Sequence, residues 1–383
     1  MNKALNKVAM PVQKKRRGRK MQITGQEKII NEGFHRRPTA VIKLLFVIAL
    51  LVHPVSYAQA QSDPLPSWNE GATKRAILDF VGRVTKVGDA GFVPVYDRIA
   101  AFDNDGTLWV EKPLPNEVYF VLARVREMAE KDASLKTKQP FKAALEGDAA
   151  YFHQEGEKAV VELLMATHTG MTQERFAGEA RNFFETGKHP KLGRSFSSVA
   201  YQPMLELLAF LRSNGFQIWL SSGGTIDFMR AFAPQVYDIP ADHIIGTEFK
   251  RESRRENGLL SVWRLPALEH LNDKDGKPVG IDRHIGKRPV FVGGNVLSGG
   301  DIAMMEYSKG RTGASFQLLI NHDDAEREFA YQEKDNFSLD AAKKNGFTVI
   351  NMKTDWKTIF SDIQKTPGKI RTGRKGNGEG ASP

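Results

Sequence analysis

About a quarter of the way along the chain the sequence reads Ile99-Ala100-Ala101-Phe102-Asp103-Asn104-Asp105-Gly106-Thr107. The first four residues are apolar, which is typical of a short buried strand, and Gly106 permits the turn that follows it. Asp103 and Asp105 are therefore two carboxylates at a strand end. They repel each other unless a cation binds between them, and Mg²⁺ favours such oxygen ligands. One could attack a phosphorus atom while the other transfers protons, although the same residue types also form ordinary turns.

Apolar runs elsewhere predict further buried strands, at 216–220, 290–292, 316–320 and 347–351. Segments with helical spacing lie between them, at 68–87, 203–213 and 278–285 and over most of 116–187. Residues 245–251 and 259–263, joined through Asn257-Gly258, are typical of a hairpin. Because short strands alternate with helices, we expect an α/β fold with a doubly wound, mostly parallel sheet covered on both faces.

Such sheets bind ligands at the carboxyl ends of their strands. The candidate site residues are therefore the polar ones that follow strands, namely Asp103, Asp105, Ser222, Asn295, Asp301, Asn321, His322 and Asp323. Residues 222–225 are expected to open a helix, whose first amide groups would bind a phosphoryl oxygen. A metal-binding interpretation of His322 competes with a structural one, in which Asp323 caps a helix over 324–331, and we favour the second.

The net positive charge of the chain comes from its amino-terminal 60 residues. The 383 residues include 55 Lys+Arg and 45 Asp+Glu, a formal net charge of +10, and no cysteine. Residues 1–60 alone hold 12 basic and two acidic residues, so the rest of the chain is neutral overall. The charge therefore gives no reason to expect a nucleic-acid partner. The lack of cysteine excludes disulfides, thiolate metal sites and a cysteine nucleophile.

Residues 1–60 are typical of a leader with a signal peptide. Their apolar run, Leu44–Val52, is shorter than the roughly 20 residues that a membrane-spanning helix needs. Basic residues precede this run, and Ala58-Gln59-Ala60 supplies small residues for cleavage before Gln61. We expect an exported protein, periplasmic or secreted, with no stable membrane span in the mature chain. An uncleaved anchor and a translation start at Met21 stay open as alternatives.

The segment at 99–107 resembles motif I of the haloacid dehalogenase superfamily, Asp-x-Asp-Gly-Thr after an apolar strand. The likeness continues through Leu108-Trp109 to Glu111 and Pro113, and Ser222, before two glycines, looks like motif II. The resemblance covers roughly residues 95–365. It implies a Rossmann-like core from 61–110 and 206–365, with a helical cap over 111–205. Residues 366–383, rich in Gly, Lys and Arg, are expected to be a disordered tail.

Motif III of this family is a lysine that neutralises the phosphate and the nucleophile, and the chain offers two candidates. Lys287 directly precedes the strand at 289–292, which would place it at the amino edge of the sheet. Lys277 precedes the helix that leads into that strand. Since such a helix starts near the opposite, catalytic edge, we favour Lys277.

Motif IV usually reads Gly-Asp with a second acid three or four residues later. Here Gly293-Gly294-Asn295 is followed by Asp301 after a longer loop. A second alignment starts at Gly300-Asp301 and takes Glu306 as the second acid. Asp301 serves in both alignments, so it is the favoured metal ligand, and Asn295 is the next candidate.

The resemblance also implies the activity, a hydrolysis of a small phosphorylated metabolite with Mg²⁺ as cofactor. Asp103 would attack phosphorus and form an aspartyl-phosphate, while Asp105 would protonate the leaving oxygen and then activate water. Ser222, Gly223 and Lys277 would hold the phosphoryl oxygens. A phosphoserine phosphatase, and a non-catalytic secreted binding protein on the same fold, stay open as alternatives.

Overall fold

The strands of the computed structural model, which describes residues 62–297 and 300–361, form one sheet. They are β1 (Ile99–Phe102), β2 (Gln217–Thr225), β3 (Ile244–Glu256), β4 (Leu259–His270), β5 (Phe291–Asn295), β6 (Phe316–Asn321) and β7 (Thr348–Asn351). Their order across the sheet is β4-β3-β2-β1-β5-β6-β7. Neighbours run parallel except for β3 and β4. The predicted α/β fold with a mostly parallel sheet is confirmed, and strand order reverses beside β1.

Both faces of the sheet are covered. In β1, Ala100 and Phe102 belong to one hydrophobic cluster and Ala101, between them, belongs to another. All four residues of β1 are buried. A strand covered on both sides needs apolar residues at every position, which explains why the sequence shows an unbroken run rather than an alternation.

The helices surround the sheet and fill the connection between β1 and β2. They are α1 (Ala72–Thr85), α2 (Asn116–Lys131), α3 (Phe141–Glu146), α4 (Ala149–Glu155), α5 (Glu157–His168), α6 (Gln173–Thr186), α7 (Gln202–Ser213), α8 (Ile226–Arg230), α9 (Ala233–Val236), α10 (Gly276–Ile285), α11 (Gly300–Lys309), α12 (Phe337–Asn345) and α13 (Met352–Asp355). Short 3₁₀ turns lie at Val95–Asp97, Ala133–Lys136, Phe196–Ser198 and Ala241–His243. Among residues 62–297 and 300–361, none of the helices combines the length and the apolar character that a bilayer span requires.

Helices α2 to α6 form a helical insert between β1 and β2, within the range 111–205 for which the resemblance implies a cap, and their role as a cap stays a prediction. The insert has a small hydrophobic cluster of its own, which includes Val121 and Phe141. It also packs on the rest of the chain through aromatic rings, with centroids 5.3 Å apart for Phe120 and Phe228. The described residues of insert and sheet belong to one compact unit of the chain. The predicted leader over 1–60 and tail over 366–383 lie outside the described residues and stay predictions.

The hairpin of β3 and β4 is longer than the sequence indicated. Asn257 and Gly258 both have positive φ angles, 50° and 82°, as the two-residue turn predicted from this dipeptide requires. The outer edge of β4 pairs with the insert, since the Gly170 amide donates to the Arg264 carbonyl at 2.9 Å. In return the Arg264 amide donates to the Met171 carbonyl at 3.0 Å. The hairpin thus joins the insert to the sheet.

The expected helix over 324–331 is absent, and these residues form turns. Asp324, rather than Asp323, accepts hydrogen bonds from the amides of Glu326 and Arg327. Asp323 instead accepts from the Lys353 amide at 2.9 Å. An acid that caps a helix and an acid that closes a turn give the same local signal, because each accepts from amides two or three residues later.

Candidate active site

Asp103 and Asp105 lie at the carboxyl end of β1, where the chain leaves the sheet. The Asp103 amide donates to the Gly293 carbonyl of β5 at 2.9 Å, which continues the sheet up to this residue. Asp105 accepts a hydrogen bond of 2.7 Å from the Trp109 indole. Gly106 has a φ of +69°, and a Cβ atom there would lie 1.8 Å from Asn295 Nδ2. The turn therefore requires glycine.

Lys277 lies between two of the predicted acids. It belongs to the first turn of α10, and its Nζ donates to Asp103 Oδ1 at 2.6 Å and to Asp301 Oδ1 at 2.5 Å. Burial opposes the charge of this ammonium, but the two carboxylates prevail and raise the pKa of Lys277 above its ordinary value. Lys287 binds Asp97 at 2.7 Å, just before the amino end of β1. The structure thus brings Lys277, and not Lys287, to the acids.

Asn295 and Asp301 come together through the short connection from β5 to α11. Asp301 Oδ2 accepts from the Asn295 amide at 2.8 Å. The Asn295 side chain donates to the Asp105 carbonyl at 2.7 Å, and its oxygen accepts from the Leu297 amide. Asn295 therefore holds the turn after β1 in place. Glu306 is exposed and accepts from the Asn345 side chain at 3.2 Å, so it does not reach this group of residues.

Ser222 and Gly223 are also at the carboxyl edge, but the predicted helix start at Ser222 is wrong. Strand β2 continues to Thr225, with a shift of its register against β3 after Ser221. The helix that follows, α8, has five residues, and its first residue is Ile226. The Ser222 hydroxyl accepts from the Gly224 amide at 3.2 Å. The amides near Ser222 thus belong to an irregular strand end and gain nothing from a helix dipole.

Sequence reasoning missed two acids next to this group. Asp273 lines the pocket, and Glu117 accepts from the Thr225 amide at 2.9 Å and approaches His168 Nε2 at 3.2 Å. Glu111, noted only as part of the motif I likeness, also lines the pocket. No local signal identifies Glu117, because an acid in the first turn of a helix is common for dipole reasons alone.

The acids occupy a pocket of about 130 Å³, lined by Asp103, Asp105, Glu111, Ser222, Gly223, Gly224, Asp273, Lys277, Asn295, Leu297, Gly300 and Asp301. Burial, and then the charges of Asp103 and Glu111, raise the pKa of Asp105 well above its ordinary value. Burial and the charge of Asp103 also raise the pKa of Asp301, to about 7, although Lys277 acts in the opposite direction. The carboxyl groups of Asp105 and Asp301 in this pocket thus keep their protons at higher pH than an ordinary aspartate does.

The donor set fits a hard cation. Its ligand atoms are oxygens, since the buried or partly buried carboxyl groups of Asp103, Asp105 and Asp301 line one pocket, and Lys277 pairs with the first and the third. Within residues 62–297 and 300–361, no three His, Asp or Glu side chains converge into a ready cluster for one ion. Lys277 binds one oxygen of Asp103 and one of Asp301. We conclude that the chemistry of the site suits Mg²⁺.

Comparison with known proteins agrees with this fold. The chain matches the haloacid dehalogenase-like hydrolase family over residues 100–293, from β1 to the middle of β5. No curated protein matches it. A conserved protein of unknown function from Anaerococcus prevotii DSM 20548 is similar in structure, with a TM-score of 0.52 and 16% identity over 77% of this chain and 97% of that chain.

Two further solved structures have lower similarity. A protein of unknown function from Bordetella pertussis Tohama I has a TM-score of 0.44 and 14% identity, over 67% of this chain and 98% of that one. A phosphoserine phosphohydrolase-like protein from Francisella tularensis subsp. tularensis SCHU S4 has a TM-score of 0.33 and 16% identity, over 63% of this chain and 98% of that one. With TM-scores below 0.5, neither structure supports a conclusion about this chain.

A doubly wound sheet with paired carboxylates after its central strand is an α/β fold whose candidate site lies at the carboxyl ends of the strands, where such sheets bind ligands. The match extends over half of the chain and includes both carboxylates, Ser222 and Lys277. The chain belongs to the haloacid dehalogenase-like hydrolase family.

Proposed function

We propose that this hydrolase is a Mg²⁺-dependent phosphomonoesterase that acts on a small phosphorylated metabolite through an aspartyl-phosphate on Asp103. The observation that carries the proposal is the placement of Lys277 between Asp103 and Asp301 at the carboxyl end of β1. A fixed ammonium beside a nucleophilic carboxylate is what a transferred phosphoryl group needs, because its equatorial oxygens carry negative charge.

The first half of the reaction transfers the phosphoryl group to the enzyme. A carboxylate oxygen of Asp103 attacks phosphorus, and the bond from phosphorus to the ester oxygen breaks. Asp105 gives its proton to that leaving oxygen, a role that the upward shift of its pKa favours. Lys277 and the Ser222–Gly223 segment bind the phosphoryl oxygens.

The second half releases phosphate. Asp105, now a carboxylate, takes a proton from a water molecule while that water attacks the phosphorus of the acyl-phosphate. The bond between phosphorus and Asp103 breaks, which restores the free carboxylate. Asp103, Asp105 and Asp301, with Asn295 beside them, are the residues that would hold Mg²⁺, which when bound would supply positive charge for the phosphoryl oxygens.

Turnover of para-nitrophenyl phosphate in the presence of Mg²⁺ tests the proposal, and a panel that includes phosphoserine would then identify the substrate class. Release of nitrophenol that depends on the intact site is the expected result. Complete inactivity towards all esters of the panel, in protein with normal thermal unfolding, would favour a non-catalytic binding protein instead.

Removal of the metal is expected to abolish turnover reversibly. Excess EDTA should stop the reaction, and Mg²⁺ added back should restore it. Because a protonated carboxyl binds Mg²⁺ poorly, and the pKa of Asp301 is about 7, the Mg²⁺ affinity should fall as pH decreases through about 7. Titration calorimetry at several pH values measures this dependence.

A matched pair of variants assigns the metal effect to a residue. Asp301→Asn should weaken Mg²⁺ binding, whereas Glu306→Gln, five residues further along the same helix, should not. Full turnover in excess EDTA, or equal loss of affinity in both variants, would contradict the assignment of Asp301.

Lys277→Ala is expected to lower kcat by about 10²–10³-fold, since one preorganised charged donor is typically worth that much. Lys287→Ala is the matched control and should leave turnover nearly unchanged, because its exposed pair with Asp97 contributes little. Steady-state kinetics of the two variants, with circular dichroism to verify folding, make the comparison. If Lys287→Ala were the inactive variant, the site would be misassigned at this position.

We also propose that the protein is exported, on the basis of the leader in residues 1–60. Sequencing the amino terminus of the mature protein should find a start near Gln61. Full-length protein recovered from the cytoplasm would contradict export.

A further inference from the structure

His322 is a buried histidine that the mechanism above does not use. It follows the carboxyl end of β6 and is 0% exposed. Its Nε2 lies 2.8 Å from the carbonyl oxygen of Gly106, in the turn that carries Asp103 and Asp105. Its Nδ1 lies 3.3 Å from Glu328 Oε2.

Both ring nitrogens of His322 thus face oxygens that accept hydrogen bonds. A carbonyl oxygen can only accept, so Nε2 must carry a proton. Glu328 receives two further donors, the Tyr201 hydroxyl at 2.8 Å and the Phe329 amide at 2.6 Å. Donors of this kind stabilise the charged carboxylate, so the proton between Glu328 and the ring belongs on Nδ1.

We propose that His322 is a positioning residue for the catalytic turn, a buried imidazolium that is paired with Glu328 and holds the Gly106 carbonyl. The Tyr331 ring stacks on it with centroids 4.2 Å apart, which fixes the plane of the imidazole. The kinetic part of this inference rests on the proposed phosphatase function.

The hydrogen bond to Gly106 is placed where it orients Asp105. Asn295 holds the carbonyl of Asp105 at 2.7 Å, and His322 holds the next carbonyl, that of Gly106. The Gly106 amide donates to the Trp109 carbonyl at 2.9 Å. With successive peptide groups fixed, the Asp105 carboxyl has little freedom apart from its own side-chain torsions. A displacement near 1 Å in such a group can cost about 10²-fold in rate.

Two substitutions of His322 by amide residues distinguish the roles of its two hydrogen bonds, one to Gly106 and one to Glu328. In His322→Gln the amide nitrogen lies near the position of Nε2, so the bond to Gly106 is kept and the one to Glu328 is lost. In His322→Asn the nitrogen lies near Nδ1, so the reverse holds. Both variants lose the ion pair, and we expect similar decreases of their thermal unfolding midpoints.

Their kinetics should differ. We expect His322→Asn to lower kcat by about 10–100-fold with little change in KM, because phosphoryl binding depends on Ser222 and Lys277 rather than on the turn. His322→Gln should retain a larger part of kcat. His284→Asn serves as control, since His284 pairs with Glu248 away from the pocket and should not alter kcat. Equal kcat in the two His322 variants would overturn the positioning role.

The charge of the ring is measured without substrate. Nitrogen-15 NMR of histidine-labelled full-length protein at neutral pH, with the signal assigned by its loss in His322→Gln, should show hydrogen on both ring nitrogens. A bare Nδ1 would overturn the imidazolium assignment. Should the unchanged protein hydrolyse no phosphate ester, the proposed function would fail, and the NMR result would still decide the state of His322.

Discussion

Asp103→Asn is expected to reduce turnover to background, the largest single effect in the site. The amide oxygen is a far weaker nucleophile than a carboxylate, so no acyl-phosphate forms and neither half of the reaction proceeds. The substitution keeps the size of the side chain and leaves a carbonyl oxygen for Lys277. Folding should therefore be preserved, and loss of activity would report on chemistry.

Two measurements check this result for Asp103. The initial rate of para-nitrophenyl phosphate hydrolysis should fall to that of the reagent blank, and quenching with radiolabelled substrate should find no phosphate on the protein. Appreciable activity in Asp103→Asn would mean that another residue is the nucleophile. Asp97→Asn, outside the pocket and before the amino end of the same strand, is a matched control that should retain activity.

Asp105→Asn is expected to slow turnover by about 10²–10⁴-fold, the usual contribution of general acid–base catalysis. This variant keeps the nucleophile but loses the proton that the raised pKa of Asp105 holds ready. Esters whose leaving group is already a weak base need little protonation. With para-nitrophenyl phosphate the first half of the reaction should therefore proceed better than with an alkyl phosphate.

The second half of the reaction should then become limiting in Asp105→Asn. Activation of water needs the Asp105 carboxylate, so labelled phosphate should accumulate on Asp103 during the first turnover. Rapid quenching followed by acid precipitation measures this fraction. Equal slowing of aryl and alkyl phosphates, with no accumulation, would contradict the proton-transfer role of Asp105.

Much of the fold could be predicted because its signals are local. The run at 99–102 is apolar at every position because β1 is buried on both faces, and Asn257-Gly258 permits the backbone angles of its turn. The placement of Lys277 followed from topology alone, since a helix that leads into the amino end of a strand begins at the opposite edge. Its contact with Asp103 agrees with that reasoning.

The rest depends on contacts between residues far apart in sequence. The sequence predicts a helix start at Ser222, but β2 extends to Thr225, whose amide donates to Glu117, 108 positions away in sequence. After His322, Asp324 accepts hydrogen bonds from the amides of two following residues, as a helix cap would. The local sequence therefore does not distinguish the turn found here from a capped helix. The hydrogen bond from His322 to Gly106 spans 216 positions, and no pattern in either segment predicts it.

The backbone pairing between β4 and the insert affects how the enzyme moves. A lid that swings on two linkers can open as a rigid body, but here Gly170 and Met171 are joined to Arg264 by main-chain hydrogen bonds. Swinging the insert away from the sheet would break these bonds and expose the rings of Phe120 and Phe228 to water. We therefore expect insert and sheet to unfold together as one cooperative unit rather than to separate by a hinge motion.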